Sequence, residues 1–409
     1  MKSSFIFWII CLNLFYPVIN AITFELLPAT KIILFEIEFT IFSFVFIMVI
    51  IFLASCVSLR EIVTSFLKKK VNKLISLIIF CYLLFFFLQV FNFRSNDSIL
   101  NIFGLGYKYY VYFFFSLSSL ILSIKFGNLF FISLNNSKKF FFFLIFILTL
   151  VYLFLRDNRG LDIERFHLER LDPNSIVVFS GIISLYLISR FFYLINTKSY
   201  YQIILNSFFL ILSYYVIYQT NSVGIVINLL FISIILIILI LRSSILKIFF
   251  LLIYFFTLYL NSENFLSRLN ILVFDESSSL HERVSFYSYA LSSDNLLNSF
   301  LIGSNIDFLN IFSFHNLVLE LYYSGGFFLL VLFTFIFLKT LISYFKIIKS
   351  NNLIMDKFLL SILLFNILNS FIGGIFSIDT KIWSLLGIVI ARLYMFRNKS
   401  FIDSSKVRM

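Results

Sequence analysis

His315 and Asn316 are the residues of this sequence whose types are best suited to chemistry. They stand in the segment HNLVLELYYSGG, where a long polar stretch leads into an apolar one. An imidazole at such a boundary can exchange a proton near neutral pH. The sequence contains only three histidines and 61% of its residues are hydrophobic, so packing gives no reason for an imidazole here. His315 is therefore the first candidate for a catalytic base.

The elements that must position this residue are predicted to be membrane-spanning helices. Phenylalanine contributes 60 residues and only 13% of residues are charged, which leaves too much apolar surface for a soluble core. The long apolar runs lack the period-two alternation of a β-barrel. The predicted fold class is an all-α polytopic membrane protein, with about 12 transmembrane helices in a single integral membrane domain, 1–409. The approximate predicted spans are 5–22, 32–58, 74–93, 109–134, 140–155, 175–195, 201–218, 223–241, 248–260, 317–345, 358–377 and 382–396.

The formal charge of +12 is distributed along the chain as a topology signal. Lysine and arginine cluster in every second connection, which the positive-inside rule assigns to the cytoplasmic face. This distribution excludes a nucleic-acid partner, makes the lipid bilayer the surrounding medium and places both termini in the cytoplasm. The stretch 1–21 also has the form of a signal peptide, but among so many later spans we interpret it as an uncleaved first helix.

Two long polar connections are predicted on the outer face, at 156–174 and at 261–316. The first is rich in arginine, whose planar group grips phosphate in bidentate fashion and so favours a diphosphate site. Its five acidic residues offer ion pairing as the alternative explanation. The second connection is acidic and contains VSFYSYALSSDNLLNSFLIG, which has the pattern of an amphipathic helix stopped at Gly303. A helix that covers a bound saccharide and a helix that lies flat on the membrane surface would both show that pattern.

The order of these motifs resembles that of the O-antigen polymerase and O-antigen ligase superfamily of bacterial envelope glycosyltransferases. The motifs are ERLDPN at 169–174, TNSVG at 220–224, HERVSFYSYAL followed by Gly303, and HNLVLELYYSGG. The resemblance extends over about 156–326, and the remaining helices agree only in number and hydropathy. It implies a C-type glycosyltransferase-like fold, a location in the bacterial inner membrane and an active site on the periplasmic side.

The resemblance also implies the reaction, which is inverting transfer of sugar repeat units from an undecaprenyl diphosphate carrier without a metal or other cofactor. The substrate is then an undecaprenyl-diphosphate-linked oligosaccharide, and a chain-length regulator and a flippase of the same pathway are candidate partners. His315 corresponds to the catalytic position, and Arg170 and Arg283 to the diphosphate-binding positions. Asn316, Glu320 and Asn174 are the candidate substrate-binding residues.

One position departs from the family pattern. Val223 stands where the family often has an arginine, so one diphosphate contact would have to come from Arg159 or Arg165. Three functions stay open at this level: a polymerase that joins repeat units, a ligase that transfers finished polymer to the lipid A core, and a flippase for lipid-linked oligosaccharides. A flippase should carry polar groups deep in its spans, whereas the ionisable residues here collect at the outer face. This placement argues against a flippase. The polymerase and the ligase need the same donor chemistry, and we favour the polymerase because the AT-rich composition is typical of sugar-cluster genes.

Overall fold

The computed structural model describes residues 3–16, 18–19, 31–34, 37–40, 45–55, 80, 83–84, 106–136, 138–157, 173–219, 223–241, 247–248, 288, 291–292, 296–297, 300–301, 303, 316–351, 353–371 and 379–406. Its helices are α1 (Ser3–Leu14), α2 (Gly106–Asn136), α3 (Lys138–Asp157), α4 (Pro173–Thr197), α5 (Tyr200–Gln219), α6 (Val223–Ile240), α7 (Leu317–Asn351), α8 (Ile354–Ser370) and α9 (Thr380–Lys406). A further apolar helical segment covers Val45–Ser55.

Several of these helices have the length and apolarity of membrane spans. Four stretches are long and apolar enough to cross a bilayer by themselves: Phe113–Ile132, Ile176–Ile195, Tyr200–Ile217 and Gly325–Ser350. Shorter apolar helices lie at Phe140–Leu153 and Gly224–Ile240. The prediction of a helical membrane protein is confirmed at this level. The predicted spans 248–260 and 74–93 lie almost entirely outside the described residues.

The prediction of one helix over 32–58 is wrong in its first third. Strands β1 (Lys31–Leu34) and β2 (Ile37–Thr40) form an antiparallel hairpin in which Lys31 pairs with Thr40 and Leu34 with Ile37. The sequence KIILFEIEFT alternates apolar and polar residues over its second half, which is the period of a strand. Averaging hydropathy over a long window hides that period, because the alternate residues are strongly apolar.

Helices α2 and α9 run side by side in the same direction. A Cβ atom on Gly387 would lie 2.7 Å from the Cβ of Ser123, and further along both helices the guanidinium of Arg392 lies 3.5 Å from the centre of the Phe131 ring. On α2, a Cβ at Gly127 would lie 2.8 Å from the Cα of Ile388. Small residues therefore let these two backbones approach closely, which is how helices associate in a membrane.

Contacts between named residues fix the direction of each remaining helix relative to its neighbours. Helix α1 is antiparallel to α2, since Tyr16 contacts Phe115 and Phe7 contacts Phe130. Helix α4 is antiparallel to α5, through the pairs Ser184–Ser213 and Leu187–Asn206, and to α8, through Gly181–Phe365 and Tyr186–Phe358. Helix α3 is parallel to α5, through Phe141–Phe209 and Tyr152–Tyr215. Helix α7 is parallel to α9, because Phe333 contacts Trp383 and, further along both helices, Tyr344 and Arg392 both bind Asp356.

Helix α6 completes the arrangement, because its early residue Asn228 donates a hydrogen bond of 3.0 Å to the late residue Asn369 of α8. Helices α2, α4, α6, α7 and α9 thus begin at one end of the bundle, which we call the Asn316 end, and α1, α3, α5 and α8 finish there. The opposite end is called the Arg392 end. Consecutive described helices alternate as membrane spans must, except that α6 and α7 both start at the Asn316 end. The predicted span 248–260 falls between them and lies outside the described residues except for Ile248.

Basic residues of the described helices gather at the Arg392 end. The described basic side chains near it are Lys138, Arg190, Lys198, Lys346, Lys349, Lys357 and Arg392. At the Asn316 end the first turns of α7 and α9 instead bring Glu320, Asp379 and Lys381. By the positive-inside rule, this polarity predicts that the Arg392 end faces the cytoplasm and the Asn316 end faces outward.

Candidate functional site

Asn316 forms the N-terminal cap of α7. Its side-chain Oδ1 accepts hydrogen bonds from the backbone N–H groups of Val318 at 2.9 Å and Leu319 at 3.3 Å. A short amide side chain is a preferred residue at this position because it satisfies amides that have no partner inside the helix. His315 directly precedes this cap in the sequence, although it lies outside the described residues. The helix that follows the HN pair is thus capped by the asparagine of that pair.

Glu320 lies one helical turn beyond Asn316, as the sequence predicts. Its backbone N–H donates to the carbonyl of Asn316 at 2.9 Å, and the residue is only 3% exposed. The adjacent Leu321 and Leu317 belong to a cluster of buried residues with Phe113 and Trp383. A carboxylate in the first turn is stabilised by the positive end of the helix dipole. Glu320 is therefore a buried acid at the Asn316 end, on the same helix turn as members of this apolar cluster.

The helix carrying these residues is broken at Gly325 and Gly326. Both have non-helical backbone angles, and Gly326 has a φ of 69°, which favours glycine. This break brings another part of the chain close to the helix backbone. The close approach is made by the backbone of Phe300 and Leu301, because a Cβ on Gly326 would collide with the Leu301 carbonyl and lie 2.7 Å from that of Phe300.

The contacts around the break dock part of the long acidic connection onto α7. The Tyr322 hydroxyl donates to the carbonyl of Leu296 at 2.6 Å, and the Phe327 N–H donates to the carbonyl of Phe300 at 2.8 Å. The rings of Phe300 and Phe327 stack with 5.4 Å between centroids. Gly303, where the sequence predicts the end of an amphipathic helix, is buried and has a φ of 79°. The described part of the connection is thus packed against Tyr322 of α7 and against the break of that helix.

The helix ends that flank the arginine-rich connection lie at this same end of the bundle. Helix α3 finishes at Asp157 and α4 starts at Pro173, with Asn174 in its first turn. The positions of Arg159, Arg165 and Arg170 fall between these two ends, and that of Arg283 falls in the connection before α7. All four arginines lie outside the described residues, as do all three histidines. The diphosphate-binding assignment therefore stays a prediction.

A second ionisable cluster lies at the Arg392 end and was not singled out from the sequence. Asp356 accepts hydrogen bonds from Arg392 through Nε at 3.1 Å and through Nη2 at 2.9 Å, and from the Tyr344 hydroxyl at 2.8 Å. Its carboxylate is fully buried. The guanidinium also lies over the rings of Phe131 and Phe396. Because the two charges satisfy each other, this cluster fits a structural role joining α2, α7, α8 and α9.

A polar network toward the Asn316 end of the bundle joins α1, α2 and α9. Asn13 donates to the Ser384 hydroxyl at 2.8 Å and accepts from the Ser119 hydroxyl at 3.0 Å. These bonds lie between helices in an apolar surround, where they help to fix which faces meet. Across the part of the chain that the structure describes, no three His, Cys, Asp or Glu side chains are grouped as a metal site would require.

The chain matches no protein-family model, no curated protein and no solved structure.

Proposed function

We propose that the protein is an O-antigen polymerase, or a polymerase of a related surface polysaccharide, working from undecaprenyl-diphosphate-linked repeat units. The observation that carries the proposal is the start of α7, where the capping Asn316 and the buried Glu320 follow His315. This start lies at the bundle end from which the arginine-rich and acidic connections extend. The candidate base, an acid and the candidate guanidinium groups would then belong to the Asn316 end of the bundle.

The capping geometry bears on where a diphosphate would bind. Two of the first backbone amides of α7, those of Val318 and Leu319, already donate to Asn316. The helix start is therefore less open to an anion than an uncapped one. Glu320 would repel a diphosphate as well. The negative charge of the carrier is better met by guanidinium groups, for which Arg170 and Arg283 are the first candidates and Arg159 and Arg165 the reserves.

The same geometry suits a sugar acceptor. A carboxylate accepts hydrogen bonds from hydroxyl groups. Glu320 lies one helical turn beyond Asn316. Two residues further along, the hydroxyl of Tyr322 is bonded to the carbonyl of Leu296. Within the described residues the Nδ2 group of Asn316 makes no hydrogen bond, so it can donate to a hydroxyl. We assign Asn316 and Glu320 to the acceptor sugar, with Asn174 contributing from the start of α4.

In the proposed reaction His315 takes the proton of an acceptor hydroxyl while that oxygen attacks the anomeric carbon of the donor repeat unit. The bond between that carbon and the diphosphate oxygen breaks, and the anomeric configuration inverts. The bonding pair leaves with undecaprenyl diphosphate, whose developing charge the arginines stabilise. The product is a longer chain on the acceptor's carrier, and the enzyme works in the bacterial inner membrane with its site on the periplasmic side.

Deletion of the gene tests the reaction class. A polymerase mutant should make lipopolysaccharide that carries a single repeat unit, because ligation to the core still proceeds. The expected gel shows loss of the whole polymer ladder and one remaining band above the core. Polymer accumulated on undecaprenyl diphosphate would instead identify a ligase, and loss of all periplasmic repeat units would identify a flippase.

Replacement of the arginines tests the diphosphate assignment. Arg170→Lys and Arg283→Lys keep the positive charge but remove the planar fork, so each is expected to lose most polymer in the complemented deletion strain. Lys381→Arg, at the start of α9 and paired with its neighbour Asp379 at 3.9 Å, is the control and should leave the ladder unchanged. Full activity of both arginine variants would mean that these residues form ion pairs with the local acids instead.

A further inference from the structure

Helix α7 carries a continuous exposed apolar stripe. Its members recur every three or four residues and are 38–63% exposed, although all are large and hydrophobic. Such spacing places them on one side of the helix. On a helix long enough to span a bilayer, a stripe of this kind faces lipid. The stripe consists of Phe328, Val331, Phe335, Leu338, Ile342 and Phe345.

Apolar residues of the docked connection continue this stripe beyond the top of the span. Phe300 stacks on Phe327, which is itself 48% exposed and precedes Phe328, the first residue of the stripe. The Leu301 carbonyl lies against Gly326, so its backbone follows the helix surface at the break. The connection is therefore held at the point where the lipid-facing surface of α7 begins.

The exposed side chains of this segment are apolar and share one side. Leu297, Phe300 and Leu301 are 73%, 47% and 74% exposed, and they stand at positions i, i+3 and i+4. Hydrogen bonds from Leu296 N–H to the Ser292 carbonyl at 3.0 Å and from Phe300 N–H to the Leu297 carbonyl at 3.2 Å give helical turns here. Helical turns place such positions together. We call these three residues the apolar rim.

We propose that the apolar rim inserts into the hydrocarbon of the outer leaflet and anchors the long connection to the membrane beside α7. The partner is the bilayer itself, since the rim extends a surface that already faces lipid. Three large side chains so exposed would be unfavourable in water, whereas side chains of this kind hold interfacial elements at the membrane boundary. Gly326 is the positioning residue, because only a glycine there admits the backbone of Leu301.

Spin labels test the anchor without any measurement of activity, so the result is independent of the proposed reaction. Leu301→Cys is labelled in full-length protein in phospholipid nanodiscs, with Cys11, Cys56 and Cys81 replaced by alanine. Phe335→Cys on the stripe is the lipid control, and Lys349→Cys, exposed in the last turn of α7, is the water control. We expect the label at 301 to collide more with oxygen than with a water-soluble nickel chelate, as the label at 335 does.

Two outcomes overturn the proposal. Preferential collision with the nickel chelate, as at residue 349, means that the rim faces water. Protection from both reagents means that a protein surface covers it, either a second copy of the chain or another partner.

Gly326→Ala combined with Leu301→Cys adds a test of the positioning role. The collision at 301 should shift toward the water value, while the label at 335 in the same background keeps its lipid value. An unchanged value at 301 would show that Gly326 does not hold the segment in place.

Discussion

His315→Ala is expected to abolish polymer formation while the protein level and membrane insertion stay normal. Removal of a general base costs about 10²–10⁴-fold in rate, which would remove the ladder from a lipopolysaccharide gel of the complemented deletion strain. The loss should be chemical, because Asn316 caps α7 through its own side chain and keeps its bonds to Val318 and Leu319. Helix α7 should therefore begin at the same residue in the variant.

The sequence offers a matched control for this substitution. His167→Ala removes another histidine from a predicted outer connection, and we expect it to keep the wild-type ladder. A wild-type chain-length distribution in His315→Ala would exclude the histidine as the base. Equal loss in both variants would point to a general effect on the outer connections. Asn316→Ala separates the roles further, since it removes the cap and should also lower the stability of α7, by about 1 kcal/mol.

Hydropathy predicts the long helices of this protein well, because a span must satisfy its own backbone hydrogen bonds and is therefore continuous. The predicted span 175–195 corresponds to α4 at Pro173–Thr197, and 201–218 to α5 at Tyr200–Gln219. The predicted span 317–345 begins at the first residue of α7, but the helix breaks at Gly325 and Gly326, and the stretch long and apolar enough to cross a bilayer is Gly325–Ser350. The hairpin at 31–40 was missed because its period lies within a strongly apolar run, which length and average hydropathy do not distinguish from a helix.

The candidate site is predictable only in part for a different reason. Asn316 and Glu320 are one turn apart on one helix, so local geometry fixes their spacing from sequence alone. The docking of Phe300 and Leu301 at Gly326 depends on a break in that helix and on residues over 20 positions away. Adjacent glycines in sequence show that backbone can approach closely, but they do not show which backbone does so.

The buried pair of Asp356 and Arg392 was missed because hydropathy treats each charge separately. Asp356 lies in the first turn of α8 and Arg392 far along α9, 36 residues later. Each by itself is an unfavourable residue near a span. Their proximity depends on α8 and α9 being antiparallel, with the start of one beside the later part of the other. The Tyr344 hydroxyl of α7 also donates to the Asp356 carboxylate, and the Arg392 guanidinium lies over the Phe131 ring of α2.

Asp356→Ala is expected to destabilise the protein more than the loss of one hydrogen bond would. It leaves the Arg392 guanidinium buried, with 3% of its side chain exposed, and without its counter-charge. Breaking a buried ion pair in this way costs about 3–5 kcal/mol, whereas Tyr344→Phe, which removes one hydrogen bond to the same carboxylate, should cost about 1 kcal/mol. The measurement is reversible unfolding of the purified protein in detergent micelles.

The double variant Asp356→Ala/Arg392→Met separates an uncompensated charge from a loss of packing. If the cost of Asp356→Ala arises from the unpaired guanidinium, replacing Arg392 with a long apolar side chain removes that cost. The double variant should then be more stable than the sum of the two single losses predicts, by about 0.5–3 kcal/mol. Additive losses, or an Asp356→Ala protein as stable as the wild type, would contradict a stabilising ion pair at the Arg392 end. Methionine fills much of the space of the arginine stem over Phe131, so the comparison tests charge rather than volume.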